Sequence, residues 1–422
     1  MGSEPYETLG LNHKSAKVCM LSYVAEPSYL PPINHEAVSL ANLGFHVEVI
    51  CPSYRRQSCV SDAVIQGFIK RSIFLCTRKF FHDKFGLAND TLFVAGPKYF
   101  LTYMEFLIRS FFIALRSRAD LYEAHDLPTL LPAVAVALIR GKPLVYHAHE
   151  LYVEMHRKVK FARAWRLLER VLISFATDIV TPEENRSQIY YREYHTRNVP
   201  LTIKNCPPYK APITSRKLRD YLSSKEVNFK TIVLYQGLLD TSRCIEELIE
   251  ASKYFNEGIV LVLIGGGWKK WKKPESITGI PKNVFFVPRV QYEELPSYTA
   301  SADIGVLFYR NDCRNNYYCA PNKLYEYMMM GLPIIAPSYP GIQKIIEGEN
   351  IGRCTDPENV RQIAGVINTL AGDPELVMTM KQNCLRLSKE KYNWEREAEK
   401  LLNRYRSIQA LNWPGAAKGL TK

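Results

Sequence analysis

The feature that most constrains this chain is an alternation of short apolar runs with helix-length segments, repeated in two series around a proline-rich break. In the first series "AKVCMLSYV" (16–24), "FHVEVIC" (45–51), "ADLYEAHD" (119–126), "PLVYHAHE" (143–150) and "TDIVTP" (177–182) read as strands leading into loops. Segments 34–43, 98–117, 127–140 and 161–175 carry helical spacing between them. Alternation of this kind builds parallel sheets covered by helices.

The stretch "VPLTIKNCPPYKAPITS" (199–215) holds four prolines and no helical period, and the pattern restarts after it. It places a linker at 206–215 between a domain of residues 1–205 and another of 216–393. In the second series the strands are "KTIVLYQG" (230–237), "IVLVLIGGG" (259–267), "NVFFVP" (283–288), "DIGVLFY" (303–309), "LPIIAP" (332–337) and "IGRC" (351–354). The expected fold is α/β: two Rossmann-like domains facing a central cleft, with ligands at the carboxyl ends of the strands. Segments 374–390 and 394–411 read as helices, the second expected to pack back on the first domain, and the terminal "NWPGAAKGLTK" has lost its pattern.

At 422 residues the chain has material for two such domains. The first sixteen residues lack a basic region followed by an apolar core, so no signal or transit peptide is expected. The most apolar stretch, 99–115, is interrupted by Glu105 and Arg109, which argues against a membrane span. Ten cysteines without a CxxC pair read as reduced thiols, and the expected compartment is the cytosol. The net charge of +13 is spread evenly, +7 over residues 1–210 and +6 beyond. Such a balance suits anionic small molecules or membrane surfaces; with no RRM or helix-turn-helix signature, a nucleic-acid partner is not expected.

Gly265-Gly266-Gly267 follows an apolar strand, but a dinucleotide fingerprint needs glycine where Lys270 stands, and no GxxxxGK[ST] occurs. "PNKLYEYMMMGLP" (321–333) is more informative. Pro321 suits a first helical position, and Asn322, Lys323 and Glu326 then share one face while Leu324 and Met328 turn to the core. Free N–H groups and the Lys323 ammonium suit an anion there, and the Glu326 carboxylate one turn on suits a vicinal diol such as a ribose. The alternative is that Glu326 merely pairs with Lys323 on a wet surface. His147 and His149, two apart on a strand, share a face; a metal there would need His125 or Asp126 as further ligands, and none is expected. Segment 155–172 carries six basic residues against one acid with apolar residues at helical spacing, which fits either an anionic membrane surface or a solvated helix face.

The series "VLYQGLLDTSRCIEELIEAS" (233–252), "LVLIGGG" (261–267), "VPRVQYEELPSYTASADIGVLFY" (287–309) and "APNKLYEYMMMGLPIIAP" (320–337) resembles the carboxy-terminal domain of retaining GT-B glycosyltransferases of family 4. "ADLYEAHDLPTLLPA" (119–133) and "VYHAHELYVE" (145–154) look like that family's acceptor-side domain, and "YNWEREAEKLLNRY" (392–405) like its closing helix.

The resemblance implies a nucleoside diphosphate sugar donor, UDP rather than GDP, a hydroxyl acceptor and retention of anomeric configuration, with no cofactor or metal. It implies catalytic roles for His149, Arg243 and Lys323, donor contacts from Glu326, Asn322, Gly237, Arg289 and Tyr318, and acceptor-side roles for Glu150 and Asp126. Glu326 matches the second glutamate of the family's E-x7-E element; the first is replaced by Tyr318, as in a subgroup of "PNKLxEYM" form. Leu238 stands where an arginine often follows the glycine, which leaves more of the diphosphate to Arg243 and Lys323. Surface polysaccharide or glycolipid assembly is the expected setting, with a glycosylated natural product as the alternative; peripheral membrane contact through 155–172 is read from the basic segment itself, against a solvated helix face. A nucleotide-sugar epimerase of similar fold and a non-catalytic partner subunit are the alternatives.

Overall fold

A computed structural model of the chain describes residues 16–24, 31–53, 60–77, 97–155, 161–266 and 279–412. It divides into two compact units, one of residues 1–203 with 398–422 and one of 204–397.

The first unit holds strands β1 (Lys17–Ser22), β2 (His46–Ser53), β3 (Val60–Ile65), β4 (Phe68–Phe74), β5 (Leu121–His125), β6 (Leu144–His147), β7 (Asp178–Thr181) and β8 (Leu201–Thr202). They form one sheet in the order β3-β4-β2-β1-β5-β6-β7-β8, parallel except for the β3/β4 hairpin. Sequence reading missed that hairpin, because "VSDAVIQGFIK" lacks an unbroken apolar run. Gln66 and Gly67, both at positive φ (45° and 90°), turn it in two residues. Helices α1 (Pro31–Asn42), α2 (Pro97–Ser117), α3 (Leu127–Arg140), α4 (Ala162–Ile173) and α5 (Glu184–Glu193) follow the strands.

The second unit has a six-stranded, all-parallel sheet in the order β11-β10-β9-β12-β13-β14. Its strands are β9 (Thr231–Leu238), β10 (Ile259–Gly266), β11 (Val284–Pro288), β12 (Ile304–Val306), β13 (Ile334–Pro337) and β14 (Gly352–Thr355). Its helices are α6 (Lys217–Ser223), α7 (Ile245–Ala251), α8 (Leu295–Thr299), α9 (Arg314–Tyr317), α10 (Asn322–Met329), α11 (Pro340–Ile346), α12 (Val360–Ala371) and α13 (Pro374–Glu390). Two apolar clusters cover the sheet's two faces, one around Leu234, Val262 and Met328, the other around Val233, Leu263 and Ile363. Burial on both faces explains why β9 and β10 are nearly continuous apolar runs.

The proline-rich stretch has no regular element between Ile203 and Arg216, yet it is tied to the second unit. Cys206 is buried in that core, Asn205 donates to the Ala320 carbonyl (2.8 Å), and the Pro207 carbonyl accepts from the Trp394 N–H (3.0 Å). The last helix, α14 (Trp394–Asn412), begins in the second unit and from Ala398 belongs to the first, where Tyr405 enters the core. The described cysteines are free thiols.

Candidate active site

At the carboxyl end of β9 the chain runs Gln236-Gly237-Leu238 beside Ile264-Gly265-Gly266 of β10. A side chain on Gly265 would begin 1.8 Å from the Gly237 carbonyl oxygen, so two strands can close here only over glycine. Gly237 itself has φ +129°, and a Cβ on it would stand 3.0 Å from the Lys323 Nζ. The bare backbone at Gly237 is what lets that amine lie across the strand end.

Lys323 comes from α10. Its Nζ donates to the Tyr235 hydroxyl (3.2 Å) and stands 4.2 Å from the centre of that ring. Arg243, in the turn after β9, lies over the Tyr309 ring at 3.9 Å. Burial, then the nearby Arg243 guanidinium, pull the Lys323 ammonium down to about 7, with Glu326 opposing them. Two cations held together on aromatic faces, without an acid in salt-bridge contact with Lys323 among the described residues, suit a polyanionic ligand.

Glu326 lies one turn further along α10. Its carboxylate accepts from Gln236 Nε2 (2.9 Å) and the Tyr292 hydroxyl (3.3 Å), rather than forming the surface pair with Lys323 that sequence left open. Gln236 is fixed in turn, its Oε1 accepting from the Thr299 hydroxyl (2.7 Å). Burial raises the Glu326 carboxyl above its usual range, opposed by these hydrogen bonds and by Lys323. The helix is clamped by Tyr327, whose buried hydroxyl accepts from the Gln236 N–H (3.0 Å) and lies 3.2 Å from the Val306 carbonyl. One correction concerns its start: Pro321 has extended backbone (φ −77°, ψ 130°) and caps the helix, so Asn322 is the first helical residue. Asn322, Lys323 and Glu326 stay partly exposed while Leu324, Tyr327 and Met328 are buried.

Tyr318 follows α9 with its ring packed edge-on against Tyr317 (4.9 Å). Arg289 is exposed just past β11, opposite Gly266. Gly267 falls outside the described residues. A separate cavity of about 1020 Å³, beside Arg353, Asp356 and Glu358, contains none of the expected residues.

In the first unit, His149, Glu150 and Asp126 meet at the carboxyl ends of β5 and β6. Asp126 Oδ1 accepts from the Glu150 N–H (3.1 Å), and Asp126 is held at φ 65° in front of α3. Burial raises its carboxyl well above the usual range, with Glu150 adding to the effect. Arg186 donates to the His149 carbonyl and to Glu150 Oε2 (3.1 Å), so Glu150 and Arg186 together pin the turn. His149 Nε2 lies 2.9 Å from His125 Nδ1, with the rings stacked. Burial pushes the His149, His147 and His125 imidazoles down, so each is neutral at pH 7.

Among the described residues, two groups in this unit have metal-ligand spacing, His125/His147/His149 and Glu36/Glu123/His147. The first was anticipated at His125 and the second was not. Glu36 and Glu123 both bind the Tyr405 hydroxyl (2.7 and 2.8 Å), which also lies 3.2 Å from His147 Nε2. Gln236, Tyr292, Thr299, Tyr235 and Arg186 are the other residues that sequence reasoning missed. Only Gln236 carried a local signal, as the polar residue ending an apolar strand before a glycine.

Residues 222–386 match the family described as Glycosyl transferases group 1, and residues 33–202 match the Glycosyl transferase 4-like domain. Each match spans most of one unit, and the chain belongs to the glycosyltransferases built from this pair of domains. An alpha-D-kanosaminyltransferase of Streptomyces kanamyceticus is 26% identical over 287 residues, 64% of this chain and 72% of that protein. Among solved structures, sucrose-phosphate synthase from Thermosynechococcus elongatus has TM-score 0.72 at 18% identity, covering 94% of this chain and all of that one. Anabaena HepE in complex with UDP and glucose has TM-score 0.67 at 16% identity, covering 93% of this chain and all of that one. These neighbours share the GT-B fold.

Proposed function

We propose that the protein transfers a sugar from a UDP-sugar to a hydroxyl acceptor with retention of anomeric configuration. The carrying observation is the gathering of Lys323 and Arg243 over Tyr235 and Tyr309, one helical turn from the braced Glu326 carboxylate. In this reading the two cations and the N–H groups opening α10 hold the donor diphosphate. They neutralise charge as it develops on the leaving group, which makes a metal unnecessary. Glu326 accepts from the ribose diol, replacing the Tyr292 hydroxyl while Gln236 keeps the carboxylate aimed. Retention rests on resemblance to a retaining family, and the departing phosphate takes the acceptor's proton in front-face attack. The choice of UDP is supported by HepE, a fold neighbour solved with UDP and glucose. His149, braced by His125, is the first unit's group for the donor sugar, with Glu150 and Asp126 on the acceptor side; Asn322, Gly237, Arg289 and Tyr318 complete the donor contacts. The setting proposed is cytosolic assembly of a surface polysaccharide or glycolipid.

A thermal-shift panel of UDP, GDP, ADP and TDP tests the donor assignment, since a ligand of the native state raises Tm by mass action. UDP should give the largest rise, and Glu326→Ala should remove most of it. No rise with any diphosphate, or one unchanged in both Glu326→Ala and Arg243→Ala, would overturn the assignment and favour a non-catalytic subunit.

A further inference from the structure

Helices α2, α3 and α4 of the first unit pack side by side, and their outward sides are apolar. Along α4, Leu167, Val171 and, just beyond it, Phe175 recur at helical spacing and face out, preceded by Phe161, which is 79% exposed. The buried side of the same helix is supplied by Leu172 and Ile173, so the outward stripe is additional to the one the fold consumes. On α3, Leu138 and Ile139 are 59% and 63% exposed, and on α2, Ile108 and Phe112 are about half exposed. Monomeric soluble proteins rarely leave contiguous apolar area of this kind open to water.

The charges around it are predominantly basic, the acid beside α4 being Glu154, which is ion-paired to Arg166. Arg166 and Arg170 stand one residue from the apolar stripe of α4, Arg163 lies one turn before Leu167, and Arg116 and Arg140 lie in the last turns of α2 and α3. These three helices carry two acids, both turned to internal partners. Glu105 accepts from the Cys76 and Thr77 N–H groups and from Arg109, and Glu169 takes the hydroxyls of Tyr146, Tyr190 and Tyr194. A second copy docked face to face would bring arginines together, and the acid at their edge, Glu154, is already taken by Arg166. An apolar centre with a basic margin fits the headgroup boundary of an anionic bilayer. No described helix is long and apolar enough to cross one.

We infer that the α2–α3–α4 face is a docking surface for an anionic lipid bilayer. The inference deepens the expected membrane contact of segment 155–172 and rests on that expectation; it extends the contact to two further helices and does not depend on the donor site.

Sedimentation of the full chain with vesicles tests it. Binding is expected to phosphatidylcholine vesicles containing phosphatidylglycerol, and to be lost at high salt and with phosphatidylcholine alone. Leu167→Glu/Val171→Glu and Arg163→Glu/Arg170→Glu should each weaken binding by about tenfold or more. Both pairs are exposed, so Tm and any nucleotide-induced shift should stay at wild-type values, which separates failure of this inference from failure of the donor assignment. Absence of vesicle binding, or binding kept by both variants, would overturn it. So would a dimer in solution that Leu167→Glu/Val171→Glu dissociates, which would assign the face to a second copy.

Discussion

Replacing Lys323 with alanine should lower transfer by about two to three orders of magnitude, the range seen when one preorganised donor to a developing anion is removed. The same amine should make UDP binding pH-dependent. In the free protein burial and Arg243 hold Lys323 near 7 against an ordinary 10.5. A bound diphosphate favours the ammonium, so above pH 7 binding must take up a proton. Affinity in the wild type should therefore fall between pH 7 and 9, approaching about tenfold per pH unit, because one proton is coupled to one ligand. Below that window the diphosphate itself begins to titrate, so the test belongs on the alkaline side. The other ionisable groups around the amine are Arg243, Glu326, Cys319, Tyr235 and Tyr309; burial lifts the Tyr235 phenol far above this range, and a guanidinium does not titrate in it. Lys323→Arg, always charged, should bind with a flat profile. Isothermal titration in buffers of different ionisation enthalpy would count the proton directly. A wild-type affinity constant to pH 9, or full transfer by Lys323→Ala, would remove Lys323 from the site.

The arrangement of Lys323 and Glu326 on one face of α10 was legible because its information is local. "PNKLYEYM" carries its own helix start, its periodicity, and the chemistry of Lys323 and Glu326 on one face, all within eight residues. What braces those residues was not legible. Gln236 reaches Glu326 from 90 positions away and Tyr292 from 34, contacts that exist only once β9 and the segment before α8 are folded beside α10. The same holds at larger scale in the first unit. His147 and His149 were visible as a pair because two residues on a strand share a face. Glu36 on α1 and Glu123 on β5 meet through Tyr405, 369 and 282 positions away. An isolated glutamate in an amphipathic helix reads as a solvated charge, and the return of α14 is what buries it. The reading of α4 stayed open between two faces for a related reason: periodicity shows that a helix has an apolar side but not how much of it the sheet can cover.

That buried cluster should set the pH range over which the protein is stable. Glu36 and Glu123 are closed off from water and have no lysine or arginine in salt-bridge contact among the described residues. Their neighbours from the surrounding elements are His125, His147, His149 and Tyr405. The Tyr405 hydroxyl has one hydrogen to donate and two carboxyl groups within 2.8 Å, so one carboxyl must carry a proton and donate it. Burial accordingly lifts Glu123 from 4.5 to about 8 and Glu36 well above its usual value, while it drives His125 from 6.5 down to about 3. For the carboxyls the unfolded chain binds fewer protons than the folded one above pH 4.5, so their contribution declines as pH rises from 4.5 through 8. For the histidines the unfolded chain binds more protons below 6.5, so theirs declines as pH falls from 6.5 towards 3. Between about 4.5 and 6.5 the two slopes oppose each other, and Tm should be highest and flattest there. From 6.5 to 7 the carboxyl slope is free of the histidines, and above 7 it is opposed in turn by Lys323, which the unfolded chain keeps protonated up to 10.5; the carboxyl part of the change costs on the order of a few kcal/mol by pH 8. Glu123→Gln keeps a partner for Tyr405 and cannot ionise, so it should abolish most of that alkaline decline in a thermal melt series. Tyr405→Phe should lower Tm at every pH, because it strips both carboxyls of their shared hydroxyl and loosens α14 from the first unit. A Glu123→Gln profile parallel to the wild type from pH 6.5 to 8.5 would show that the pair is not holding its proton.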